Sequence, residues 1–388
     1  MFTTKTGEIS ARIDRFTILA KALRPPPAKW HGLEDTEVRY RQRYLDLIAN
    51  PDVKEVFLRR SRIVREVREF LHNRGYVEVE TPMMQAIPGG AAARPFKTTH
   101  NALGCDFYLR IALELYLKRL LVGGLDKVFE IGRNFRNEGI SRRHNPEFTM
   151  LEAYRAYGDF ETMADMVEEL ICHLAEKFCG GLRIEHKDEE GNVVRTIDLS
   201  RPWRRARYQD LIKEAAGADW FDLDEAGRVN RCREQLGVEI SDAMEDHEVT
   251  QQVFEKLVEE KTFNPCFVTH VASPLVPLAR LNAEDAKVVD VYELIINGQE
   301  ISPGYSELND PDVQRERLEH QSGDETQKVD YDFIETLEHG MPPAGGIGIG
   351  IDRLIMMLTG APTIRDVVLF PQLKRRTGGA EERKDGGE

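Results

Sequence analysis

The chain has 388 residues, 41% hydrophobic and 31% charged, an ordinary balance for a soluble globular enzyme. No apolar run approaches the roughly 18 residues that span a bilayer, MFTTKTGEIS lacks a signal-like apolar core, and the five cysteines form no C-x-x-C pair that would suggest a disulfide framework or a zinc site. The net charge of −14 argues against non-specific nucleic-acid binding, whose phosphate contacts need Lys and Arg, and a cytoplasmic location with no membrane partner is expected.

Residues 3–20 alternate like two short strands with a turn near Asp14. Arg24-Pro-Pro-Pro-Ala then forms a stiff linker. The spacing of Val56, Phe57, Ile63, Val64, Val67 and Leu71 predicts a helix from Val53 to Asn73, with Gly75 as its stop. A strand Tyr76–Glu80 follows, ended by Thr81-Pro82. Small residues from Gly89 to Phe96 permit close backbone approach to a ligand. Tyr108 to Leu121 reads as a strand passing into a helix, with Glu114 near the helix start.

Val128 to Gly132 predicts a strand, Arg133 to Pro146 a polar loop, and Glu147 to Tyr154 a returning strand. On that return Phe148, Met150, Glu152 and Tyr154 fall at period 2 and share a face. An aromatic ring, a carboxylate and a phenol on one face are not plain core packing. Arg133, Arg136, Arg142, Arg143 and His144 in the loop supply cationic donors for a polyphosphate. A helix over 159–179 leads to a hairpin-like region near Glu190-Gly-Asn. The helical, charged stretch of about 205–262 reads as an insertion without a catalytic constellation, and Phe267 to Ala279 returns to strand character.

Asn297-Gly298, between Tyr292–Ile296 and Gln299–Ile301, is a two-residue hairpin signal. It sets Ile295 opposite Glu300, and Glu293 shares their face as a diagonal neighbour, roughly 7 Å away at the backbone. Two carboxylates so placed suit Mg²⁺, which prefers a few carboxylates plus phosphate oxygens. From Gly345 to Gly350, Gly and Ile alternate, a strand with a bare face open to a flat ligand. Leu354–Leu358 continues as a helix with Arg353 at its start, and no G-x-x-x-x-G-K-[ST] loop is present to hold ATP.

F-R-N-E at 135–138 followed by R-H-N-P-E-F-T-M-L-E at 143–152 resembles motif 2 of the class II aminoacyl-tRNA synthetases, most closely the lysyl-tRNA synthetases. The resemblance runs from about Trp30 to Leu373. The helix, strand and closing proline resemble motif 1, the family's dimer interface, and Gly345–Arg353 resembles motif 3. His31–Asn50 is similar to the family's entry into the catalytic domain, and Ile364–Pro371 to its last strand. The class I signatures HIGH and KMSKS are absent. The resemblance implies an α+β fold, an antiparallel sheet flanked by helices. Residues 30–373 would be the catalytic domain and 374–388 a disordered tail. Residues 1–29 would be a remnant of an OB-fold anticodon-binding domain plus linker, since an OB-fold needs five strands; this weakens the case for anticodon reading.

Matched residue by residue, the resemblance implies a lysine–tRNA ligase, which activates lysine with ATP and transfers it to tRNA(Lys). Arg136 would bridge the lysine carboxylate and the α-phosphate. Glu138 and His144 would contact the nucleotide, Phe148 would stack under adenine, and Arg353 would cover it. Glu293 and Glu300 would carry Mg²⁺ within the ATP site. Gly90, Glu114, Glu152, Tyr154 and Glu307 would complete the lysine site, Glu114 meeting the α-ammonium and Glu307 the ε-ammonium. The family's Asn-Gly-Phe-Ser-Glu-Leu stands here as Pro303-Gly-Tyr305-Ser-Glu307-Leu, which removes a polar partner and stiffens the backbone. Two other readings remain: a paralogue that lysylates a protein acceptor such as elongation factor P, and a non-catalytic synthetase-like regulator. The retained linker speaks against the first, the retained arginines and carboxylates against the second.

Overall fold

The computed structural model describes residues 1–25, 33–188, 190–321 and 329–374. Pro26 to Ala28 of the linker, Trp30 and the tail from Arg375 lie outside the described residues. Two compact units are present, Met1–Lys54 and Glu55–Glu388. In the first, β1 (Phe2–Thr3) pairs with β2 (Ile9–Ser10), followed by α1 (Thr36–Arg41) and α2 (Arg43–Ala49). The expected turn near Asp14 is corrected to Thr4–Glu8, where the Thr4 hydroxyl accepts the Glu8 N–H at 3.0 Å. Residues 11–25 carry no strand; Ile13, Phe16 and Leu19 are exposed and have no apolar face to cover.

From α3 (Pro51–His72) the chain continues through β3 (Val77–Glu78), β4 (Met84–Gln85), β5 (Lys97–His100), β6 (Cys105–Leu109) and α4 (Glu114–Val122). Next come β7 (Lys127–Phe135), β8 (Glu147–Ala156), α5 (Phe160–Cys179), β9 (Arg183–Lys187), β10 (Val193–Asp198) and β11 (Arg204–Arg207). Helices α6 (Tyr208–Ala216), α7 (Glu225–Arg231) and α8 (Asp246–Leu257) precede β12 (Cys266–Thr269), β13 (Val291–Ile296) and β14 (Gln299–Ser306). The chain closes with α9 (Pro311–Gln321), α10 (Tyr331–Glu338), β15 (Ala344–Gly350), α11 (Ile351–Thr359) and α12 (Ile364–Val367).

Eight strands form the main sheet in the order β11-β12-β13-β14-β15-β8-β7-β3. The six central strands are antiparallel, while β11 and β3 add at the two edges in parallel. Alternation along β8 divides its side chains between the two faces. Leu151 and Ala153 enter a core with Val67, Leu170, Leu174 and Ile355 of α3, α5 and α11. On the opposite face Tyr154 packs with Leu117 of α4 and Phe333 of α10, α6 and α8 cover the part formed by β12 and β13, and the part around Phe148 and Met150 lines a cavity.

Three expectations are corrected in this unit. The 205–262 stretch, expected to be helical, opens instead as strand β11, which completes the main sheet, and its helices α6 and α8 pack on the apolar side chains of β12 and β13. Strand character after Phe267 ends at Thr269, where His270 takes a φ of 58° and a 3₁₀ turn Ser273–Leu275 begins. The last expected strand opens as helix α12, because Thr363 and Asp366 form a reciprocal capping box. Among the described residues no helix is long and apolar enough to cross a membrane.

Candidate active site

Two cavities open on the face of the sheet that carries Tyr154. Arg136, Met150 and Pro303 line both. The first is completed by Glu138, Arg143, His144, Phe148, Glu300 and Arg353. Gly90, Glu114, Glu152, Tyr154, Tyr305 and Gly346 complete the second. The four period-2 residues of β8 are thus split between them, Phe148 in the first, Glu152 and Tyr154 in the second, and Met150 at the junction.

The cationic cavity is built by the β7–β8 hairpin. Strand β7 runs to Phe135, so Arg133 belongs to the strand and pairs with Glu147 at 3.6 Å. Neither Arg133 nor Arg142 lines either of these two cavities. Arg136 stands at the loop's start, 5.2 Å over the Phe148 ring, with Nε donating to the Ile111 carbonyl at 3.4 Å. Burial lowers its pKa, opposed by Glu138, Glu300 and Glu152; a guanidinium stays charged regardless. Asp352 accepts the Thr149 N–H at 2.8 Å and pairs with Arg60 at 2.6 Å, fixing the start of α11 against β8. Arg353 then donates from Nη1 to the Glu300 carbonyl and from Nη2 to His144 Nε2, each at 3.0 Å. Because Arg353 can only donate, His144 Nε2 is the acceptor, and the ring's proton sits on Nδ1, which donates to Ser141 Oγ at 2.8 Å. Burial and the charges of Arg353, Arg136 and Arg143 lower the His144 pKa and keep the imidazole neutral.

Glu293 and Glu300 come together as the hairpin signal predicts, with Asn297 and Gly298 at φ 60° and 71° in the turn. Ile295 faces Glu300, but Leu294 faces Ser302 and Glu293 faces Pro303, so a β-bulge intervenes. Strict alternation would send Glu300 to one face of β14 and Pro303 and Tyr305 to the other. The extra residue returns them to the same face, where Glu300 and Pro303 line one cavity and Pro303 and Tyr305 the next.

Two more carboxylates, Glu255 and Glu259, reach this place from the stretch expected to hold no catalytic constellation. Glu259 accepts the Glu300 N–H at 3.1 Å. Burial raises the Glu293 pKa well above the carboxylate range, and the charges of Glu300, Glu259 and Glu255 raise it further. Such mutual repulsion suits a site completed by a cation. Among the described residues no three His, Cys, Asp or Glu side chains are arranged to hold an ion alone.

In the second cavity Glu152 accepts the Leu113 N–H and the Tyr154 hydroxyl, both at 3.0 Å. Burial and the neighbouring Glu114 push its pKa up to about 7. Glu114 is the first residue of α4, favoured there by the helix dipole. Glu307, 1% exposed, lies just past β14 behind Gly346 rather than on the cavity wall. A β-carbon on Gly346 would overlap Glu307 Oε1 and the Tyr154 ring. Gly346→Ala is therefore expected to destabilise the fold by about 1–3 kcal/mol in urea unfolding; an unchanged midpoint would show that Glu307 yields freely.

Of the residues expected in the nucleotide site, Arg136, Glu138, His144, Phe148, Glu300 and Arg353 line the first cavity, while Glu293 stands near Glu300 and lines neither cavity; of those expected in the lysine site, Gly90, Glu114, Arg136, Glu152 and Tyr154 line the second, with Glu307 behind its wall. Lys118 was missed. Its signal was available, an i,i+4 Glu–Lys pair on α4, yet such pairs are ordinary on exposed helices and this one is buried. Glu259 had no signal, since only the fold brings it beside Glu300.

A sequence profile of the class II tRNA synthetases (D, K and N) matches residues 35–374. The chain belongs to this family. It is 52% identical to the lysine–tRNA ligase of Syntrophomonas wolfei over 386 residues, which cover 98% of this chain and 77% of that protein. The lysine–tRNA ligase of Staphylococcus saprophyticus is 50% identical and that of Staphylococcus aureus strain MW2 48%, each over 97% of this chain and 76% of the relative. The eight-stranded sheet with its two cavities is the catalytic domain of a class II synthetase.

Proposed function

We propose that the chain is a lysine–tRNA ligase: it activates lysine with ATP, giving lysyl-adenylate and pyrophosphate, and passes the lysyl group to tRNA(Lys). The observation that carries this is Arg136, which lines both the cationic and the acidic cavity. The lysine carboxylate attacks the α-phosphorus, a P–O bond forms, and the bond from that phosphorus to the bridging oxygen of pyrophosphate breaks. The substrate brings its own nucleophile, so the protein's task is positioning and charge stabilisation. A forked guanidinium at the junction of the two cavities can hold carboxylate and α-phosphate together.

Phe148 offers a ring face to adenine, and Arg353 is held above it by the Glu300 carbonyl and neutral His144. Glu138 adds an acceptor at the nucleotide. Glu293 and Glu300 would hold Mg²⁺, with Glu259 beside them. When bound, the ion would neutralise charge on the pyrophosphate leaving group. Gly90, Glu114, Glu152, Tyr154 and Glu307 form an acidic receptor for a diamino acid, in keeping with the need of a buried cation for buried carboxylates. Pro303 and Tyr305 stand where the family has Asn and Phe, and the acidic residues around them are intact. A homodimer is proposed through α3, β3 and β4, where Leu58, Val77, Met83 and Met84 are exposed. A cytoplasmic location is proposed, in keeping with the ATP and tRNA substrates of this reading.

Pyrophosphate exchange into ATP, scanned over the standard amino acids without tRNA, tests the reading. Exchange driven by lysine is expected. Exchange driven by another amino acid would refute the assigned specificity, and none from folded protein would refute the activity.

A further inference from the structure

Lys118 lies inside the amino-acid site yet plays no part in the reaction described so far. Its side chain is fully buried. Nζ is 2.6 Å from Glu114 Oε1, 2.5 Å from Glu307 Oε2 and 3.4 Å from the Leu278 carbonyl oxygen. An ammonium has three donors, and all three are used. The charge also lies 5.6 Å from the centroid of the Tyr305 ring. Burial works against this charge, but Glu114 and Glu307 outweigh it and raise the pKa above the ordinary lysine value.

Each carboxylate keeps one oxygen free of Lys118. Glu114 Oε2 faces Gly90 on the cavity wall, and Glu307 Oε1 faces Gly346. Apart from its ion pair with Lys118, Glu307 makes no hydrogen bond through either oxygen.

We infer that Lys118 is a specificity-determining positioning residue, whose ammonium fixes the spacing of Glu114 and Glu307 and leaves one oxygen of each for the two ammonium groups of a diamino acid. The inference rests on the lysine-activating reading above. Charge supports it: Glu114, Glu152 and Glu307 are three carboxylates, facing Lys118 and the two ammonium groups of bound lysine. Without Lys118 the buried cluster keeps an unmatched carboxylate, and uncompensated buried charge is costly. A neutral side chain in place of lysine's leaves the same mismatch, which disfavours amino acids without a second ammonium.

The test is Lys118→Met in lysine-dependent pyrophosphate exchange, with wild-type protein alongside. The groups facing the pair are Glu114 from α4, Glu152 and Tyr154 from β8, Tyr305 from β14, and Arg136 at the cavity junction. Burial raises the Glu307 pKa and Lys118 pulls it back down. Losing the cation therefore raises it further, and the binding carboxylate is lost from a higher pH downward. The lysine KM is expected to rise about 30-fold or more, the ATP KM to stay within about twofold, and the acid limb of kcat/KM for lysine to move to higher pH. Equal rises in both KM values, or an unmoved acid limb, overturn the inference while the lysine-activating reading stands. Wild-type protein without lysine-dependent exchange overturns both. Should the variant not fold, a crystal structure of the wild-type protein with lysine decides: Lys118 within hydrogen-bond reach of both carboxylates supports the inference, and Lys118 displaced by the substrate ammonium overturns it.

Discussion

Glu307→Gln is expected to raise the KM for lysine at least ~100-fold while the ATP KM stays within about twofold. Removing one member of a buried charge pair costs about 3–5 kcal/mol, and each 1.36 kcal/mol is about a factor of ten. The substitution is nearly isosteric, so the packing around Gly346 and Tyr154 is kept. Lys118 retains Glu114 as a partner at 2.6 Å, which limits the cost to folding. The loss should therefore fall on the side-chain ammonium of the substrate. Exchange kinetics with lysine and ATP varied separately check it. Parallel rises in the two KM values would sink the assignment of Glu307 to the amino acid.

Arg136→Lys should lower kcat by about 10²–10³, the usual effect of removing one donor aimed at developing charge. Lysine keeps the positive charge but not the planar fork, so it cannot hold a carboxylate and a phosphate at once. The fold should tolerate the change: Arg136 makes a long hydrogen bond to Ile111 and covers the Phe148 ring, but enters no ion pair among the described residues. Thermal melts should therefore match the parent within a few degrees, as about 1 kcal/mol corresponds to only a small shift in a chain of this size. Single-turnover adenylate formation at saturating substrates is the measurement. An unchanged rate with weaker binding alone would mean that Arg136 contributes uniform binding and that the junction of the cavities is not where the chemistry is assisted.

What was legible in the sequence was local. The shared face of Phe148, Met150, Glu152 and Tyr154 follows from strand period, and the Asn297-Gly298 turn from its residue types. Helices α3 and α5 follow from apolar spacing and stop signals. Of the elements that failed, one depends on a partner distant in sequence and another on a local cap. β11 is a strand because β12 lies beside it, although the residues that follow are helical. Residues 364–367 have a strand-like composition, and the Thr363–Asp366 box overrides it. The candidate site was legible where one motif supplied several residues, as from Arg136 to Tyr154. It was not legible where two elements meet, as with Glu259 against Glu300 or Lys118 against Glu307. The side chains there are ordinary, and only their burial together makes them unusual.

The bulge in β14 makes the length of the chain part of the recognition chemistry. Between Glu300 and Pro303 stand Ile301 and Ser302, both buried, and their number matters alongside their identity. With the bulge there, Glu300 and Tyr305 open onto a common surface, so one hairpin would serve both proposed sites. The same two residues without the bulge would follow plain alternation and turn Tyr305 toward the opposite layer. The proposed nucleotide and amino-acid sites would thus meet through a single irregularity in one strand.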